Sequence, residues 1–231
     1  MAKKDRKVIM ARNTIIGFVT VVAIFVFAFV GYISSDISEG DIVANEDYFI
    51  VENALPRRPG DPIEVVEFFS YACVHCKTFD PVIDDWAAEQ ADDVSFKRMP
   101  ATFSPIWALL SQTYLTFESA DVLDKNHSRM FRAIHDTGRQ FLTPEMVADY
   151  VDGKGISKED FLLKFNSPAV RDAMRKVDRA QRRYQIAATP SLVVAGKYVI
   201  SMQGGQRRAL HIADELIAQE RAGETTSSPQ S

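Results

Sequence analysis

Cysteine is almost missing from this chain: among 231 residues only Cys73 and Cys76 occur. Two cysteines cannot build a disulfide framework. A structural zinc site needs four ligands, which scattered histidines such as His127, His135 and His211 would have to complete, and nothing in their spacing brings them together. An excess of basic charge is lacking as well. The formal net charge is −4, and Lys3, Lys4, Arg6, Lys7 and Arg12 crowd into the first twelve residues, so the rest of the chain is more acidic still. That excludes a nucleic-acid surface. Arg57-Arg58, Arg182-Arg183 and Arg207-Arg208 are isolated pairs and form no phosphate-binding stripe. No internal repeat is visible.

Long apolar runs are absent with one exception. Ile15 to Ile33 carries no charged side chain, and at about 1.5 Å per residue it is long enough to cross the hydrocarbon core of a bilayer. The basic residues before it and Asp36, Glu39 and Asp41 after it orient the run by the positive-inside rule. The expected organisation is a cytoplasmic tail at 1–12, a transmembrane anchor at 13–34 embedded in the lipid bilayer, and a polar linker at 35–46. A cleaved signal peptide shares the basic start, but bulky Tyr32 and Ile33 occupy the places where a small-x-small cleavage site belongs. No cysteine follows the run closely, which excludes a lipoprotein anchor.

The remaining residues have the apolar content of one globular domain. Asp47 to Val51 reads as an edge strand, Ile63 to Phe69 as a buried strand, Lys77 to Gln90 as a helix and Val94 to Arg98 as a third strand. From about Ser104 to Tyr184 the signals are helical. Thr143-Pro144 and Ser167-Pro168 place an N-cap before a proline at the first helical position, and Ser157 with Asp160 resembles a capping box. Strands return at Ser191 to Val194 and Tyr198 to Ser201, with Gly196-Lys197 as the hairpin turn. Gln206 to Gln219 closes the domain as an amphipathic helix. Parts at 47–103 and 185–221 therefore flank a helical insertion at 104–184, and 222–231 reads as a disordered tail. Phe68, Phe69 and Trp107 are assigned to the core.

Cys73-Val74-His75-Cys76 lies between the buried strand and the helix. A cysteine at a helix N-terminus has its thiolate stabilised by free backbone N–H groups and the helix dipole. His75 could add a hydrogen bond or, when protonated, a charge. A pair so placed suits redox exchange better than zinc binding or simple packing. Glu67 shares a strand face with Ile63, Val65 and Phe69. It is either a buried acid with a raised pKa, able to relay protons near Cys76, or a glutamate paired with Lys97 or Arg98 on the next strand.

The run from Glu67 through Cys76, Pro81 five residues further on, Thr189-Pro190, and Val193 to Tyr198 resemble the thioredoxin superfamily and, within it, the DsbA branch of exported bacterial thiol oxidases. The resemblance spans most of residues 47 to 221, including the insertion. It implies an α/β thioredoxin fold with an inserted helical subdomain, here preceded by one transmembrane helix. It implies a redox-active Cys73–Cys76 disulfide with no other cofactor and no metal, a cis Thr189-Pro190 bond beside it that binds substrate backbone, and an acid at Glu67 beneath it. It also implies exported client proteins, a DsbB-like membrane quinone reductase as partner, and a catalytic domain on the periplasmic side of the bacterial inner membrane. Threonine before the proline, where the best-known DsbA proteins have valine, and Val74, where they have proline, are departures. A tethered reductase or isomerase on the same fold is the alternative, and a binding or assembly factor with an idle CxxC the more distant one.

Overall fold

The computed structural model describes residues 42–54, 57–58 and 60–227, together with Val22. The anchor expected at 13–34 lies, but for Val22, outside the described residues, and among those described no helix is long and apolar enough to cross a membrane.

Five strands form one sheet in the order β1-β5-β4-β2-β3: β1 (Tyr48–Ile50), β2 (Ile63–Phe69), β3 (Val94–Pro100), β4 (Ser191–Val194) and β5 (Tyr198–Ile200). The interior strand β2 has one parallel neighbour, β3, and one antiparallel neighbour, β4. Both its faces are covered, which is why its sequence is an almost unbroken apolar run and not an alternating one. Ile63 and Val65 pack with Phe79, Ile83 and Trp86 of α1 (Val74–Ala88) and with Leu216 and Ile217 of α7 (Gly205–Ser227). Val66 and Phe68 point the other way, to Ile186 and Val193.

Five helices fill the insertion: α2 (Pro105–Ser119), α3 (Leu123–His135), α4 (Pro144–Val151), α5 (Lys158–Phe165) and α6 (Pro168–Arg183). Ser104, Thr143 and Ser167 each accept a backbone N–H of the first turn, from Trp107, Met146 and Val170, and a proline follows each cap. Proline fits there because its missing N–H would have no helical partner anyway. Ser157 caps α5 by accepting from Asp160 N–H, and its hydroxyl donates back to the Asp160 carboxylate. The insertion shares one apolar cluster with the end of β2 and the cysteine segment: Phe69, Tyr71, Cys73 and Cys76 pack with Tyr114, Phe131 and Phe161.

Two expectations are corrected. The hairpin turn is centred on Ala195-Gly196, both with positive φ (53° and 62°), and Lys197 N–H closes it onto the Val194 carbonyl at 2.9 Å. Gly196 thus occupies the second turn position, where the left-handed backbone suits it. The closing helix runs to Ser227, so residues 222–227 of the expected tail are helical; Arg221 fastens this end through two bonds to Asp93 at 2.6 and 2.7 Å. Trp107 packs against the core as expected, half-buried at its edge, where the indole stacks obliquely on exposed Phe103 at 5.2 Å between ring centres.

Candidate active site

The end of β2 feeds straight into the cysteine segment. Cys73 N–H bonds the Ser70 carbonyl at 3.0 Å, and Cys73 then stands as the N-cap of α1 with extended backbone (φ −93°, ψ 115°). In place of the usual cap oxygen, Cys73 Sγ accepts the backbone N–H of Cys76 at 3.4 Å. The pleat and the helix turn separate the two sulfurs in exposure. Cys76 is fully buried, Cys73 keeps 9% of its surface open, and Val74 beside it is 51% exposed. Both cysteines are free thiols.

This geometry pulls the two thiols apart in acidity. Cys73 is lowered to about 5, first by the hydrogen bond from the Cys76 thiol, then by Thr189 and the backbone N–H groups of Cys76 and His75, against the opposing effect of burial. Cys76 is pushed strongly upward by burial and by the thiolate next to it. The contribution of His75 to the thiolate is its backbone N–H; the imidazole side of the residue faces solvent.

The register of β4 on β2, with Ser191 opposite Phe68, carries the preceding loop to the cysteines. The Thr189-Pro190 bond is cis, and the Thr189 carbonyl lies 3.4 Å from Cys73 Sγ. Thr189 Oγ1 is buried with no partner at hydrogen-bond distance, and the residue's proximity lowers both sulfurs. Pro190 is buried. Cys73, Cys76, Thr189 and Pro190 are thus brought to one place.

Glu67 combines the two readings that its sequence position left open. It is buried to 1% exposure and is paired, because the parallel register sets it opposite Arg98. Arg98 Nε donates to Glu67 Oε2 at 3.0 Å, while Lys97 pairs with Glu64 on the outer face. Burial outweighs the guanidinium, and Glu67 is raised to about 7. Among the described residues its hydrogen bond goes to Arg98 and not to a sulfur.

Around this pair lies a group that sequence reasoning did not assemble. Arg98 also reaches Asp84 at 2.7 Å and Asp80 at 3.2 Å, Asp80 accepts from His127 Nε2 at 2.8 Å, and His127 Nδ1 meets Tyr71 OH at 2.9 Å. Asp80 was the visible signal: it interrupts the buried stripe Cys76, Phe79, Ile83 of α1, and an acid on an apolar helix face requires a partner. His127 gave a weaker one, on the face of α3 that also buries Met130 and Phe131.

The chain is similar to known proteins. A family model for the DSBA-like thioredoxin domain matches residues 108–216, downstream of the cysteine pair. The thiol:disulfide interchange protein DsbA of Pseudomonas aeruginosa is 40% identical over 184 residues, 79% of this chain and 87% of that protein. Its namesake from Azotobacter vinelandii is 38% identical over 193 residues, 83% of this chain and 90% of that one. The crystal structure of Pseudomonas aeruginosa DsbA covers 80% of this chain and 97% of its own with a TM-score of 0.75 at 39% identity. That of the oxidoreductase DsbA from Xylella fastidiosa covers 78% and 98%, with a TM-score of 0.74 at 34% identity. With this level of identity over nearly the whole length of its relatives, and a thioredoxin fold interrupted by the same kind of helical insertion, the chain belongs to the DsbA family of thiol:disulfide oxidoreductases.

Proposed function

We propose that this protein oxidises cysteine pairs in exported proteins, with the Cys73–Cys76 disulfide as its only redox group. The observation that carries the reading is the opposed acidity of the two thiols, Cys73 lowered to about 5 and Cys76 raised. A substrate thiolate attacks Cys73 Sγ, a substrate–Cys73 bond forms, and the Cys73–Cys76 bond breaks with its electron pair passing to Cys76, which takes up a proton in its buried site. A second substrate thiolate then attacks the substrate sulfur, and Cys73 leaves as a thiolate. The substrate is oxidised by two electrons and the enzyme becomes the dithiol. Because Cys73 is the better leaving group, both the second step and the overall equilibrium favour oxidation of the substrate.

Thr189 and Pro190 would hold the substrate backbone beside Cys73, and Glu67 would exchange the proton that Cys76 gains and loses. A DsbB-like quinone reductase in the membrane would restore the disulfide. The basic head and charge-free stretch at 13–34 support an inner-membrane anchor with the catalytic domain in the periplasm, which would confine the enzyme to clients emerging near the bilayer.

A trapping experiment tests the reading. Cys76→Ala leaves the Cys73 thiolate able to attack a client disulfide, forming a Cys73–client bond and releasing the client's other sulfur as a thiolate, and removes the thiol that would displace the client, so mixed disulfides with exported proteins accumulate and disappear on addition of dithiothreitol. Absence of such species from cells expressing the variant would overturn the assignment.

A further inference from the structure

Helix α3 belongs to the insertion, yet it holds the segment that carries Cys73 at several points. His135 Nε2 bonds the Tyr71 carbonyl at 2.8 Å, and His127 Nδ1 bonds the hydroxyl of the same tyrosine at 2.9 Å. His127 Nε2 reaches on to Asp80, one turn beyond Cys76 on α1, at 2.8 Å. Lys77, next to Cys76, pairs with Asp136 at the end of α3. Two histidines of one helix therefore grip the residue two places before Cys73, and one of them also grips the helix that carries Cys76.

The bond directions follow from the partners. Asp80 lies against the Arg98 guanidinium at 3.2 Å and accepts, so His127 donates from Nε2. Burial keeps the Tyr71 phenol protonated, so Tyr71 donates to Nδ1. The Tyr71 hydroxyl and both His127 ring nitrogens thus have partners, in a buried site where an unpartnered one would be costly. Around it, Tyr71 packs edge-on against Phe69 and Phe131 at 5.4 and 5.1 Å between ring centres.

We propose that Tyr71 and His127 are positioning residues for the exchange reaction, clamping the Cys73 turn to α1 in the geometry that favours the dithiol. The inference rests on exchange running through Cys73. The clamp holds the turn in which Cys76 N–H is aimed at Cys73 Sγ. Loosening it misaligns the N–H groups that support the thiolate, a loss that the disulfide form does not share.

Tyr71→Phe tests this with little disturbance, since the ring and its packing remain and only the hydroxyl goes. The equilibrium constant for reduction by glutathione is expected to fall about fivefold, as for one hydrogen bond felt by a single redox form. His127→Phe should act in the same direction, and the double variant should fall no further than His127→Phe alone, because both break one chain. Melting of each redox form provides the second readout. The clamp predicts a greater loss for the reduced form; equal losses in both forms, with an unchanged glutathione constant, would show a purely structural role and overturn the proposal. Should His127→Phe not fold, Tyr71→Phe decides alone. A wild-type protein that is not an oxidant would instead undermine the oxidase reading, so the two failures are distinguishable.

Discussion

Cys73→Ser abolishes disulfide exchange and leaves the domain folded. Serine is an effective N-cap, so the first turn of α1 keeps a side chain that accepts the Cys76 N–H, as Cys73 Sγ does at 3.4 Å. The chemistry has no substitute. Cys76 is fully buried and its thiol is held in the protonated form, so it cannot take over as the attacking sulfur. Oxidation of a reduced, unfolded client should drop to the uncatalysed rate, while the circular dichroism spectrum stays that of the parent. Retained function in cells would favour a tethered binding factor with an idle cysteine pair.

Arg98→Met is expected to give the largest loss of stability. The guanidinium is 13% exposed and serves Glu67, Asp80 and Asp84 at once. Methionine fills much of the space but leaves Glu67 and Asp80 buried without a counter-charge, and breaking a buried ion pair in this way costs about 3–5 kcal/mol. The loss depends on pH. Glu67 is raised from 4.5 to about 7 in the folded protein, so its neutral form is the one that folding favours. The associated stability, about 3 kcal/mol by linkage, is fully present below 4.5 and is lost as the pH rises through 7. Without Arg98 the carboxyl rises further, and the window extends upward. Urea unfolding should therefore find the variant weakened much more at pH 8 than at pH 5, and adding Glu67→Gln should recover part of the loss at pH 8. Equal losses at both pH values would mean that Glu67 is not the group left uncompensated.

What the sequence made legible was whatever short-range pattern controls. The strand before Cys73, the helix after it and the proline-led caps all depend on neighbours within a few residues, and they place Cys73 at a helix N-terminus without knowledge of the fold. The meeting of Thr189 with Cys73 depends on the register of β4 against β2, and it was reached only through resemblance to a family. The charge group could not be read in this way. Glu67, Asp80, Arg98 and His127 come from β2, α1, β3 and α3, and only the packing of the insertion onto the sheet closes Asp80 onto His127 at 2.8 Å. His127 and His135 offered no motif, because their shared target, Tyr71, is more than fifty residues earlier in the chain. The turn at Ala195-Gly196 falls one residue before its expected place for a local reason: glycine marks a left-handed position but does not say whether it is the first or the second.

The most direct test of the central claim is the equilibrium of the Cys73–Cys76 pair with glutathione buffers, measured on the protein lacking residues 1–34. A Cys73 thiolate supported by the N–H groups at the start of α1 makes the dithiol form favourable, and a potential of about −120 mV, the value characteristic of DsbA proteins and taken from them, is the expected result. A potential near about −270 mV, in the range of thioredoxin, would contradict it and make the protein a reductase that depends on an electron donor.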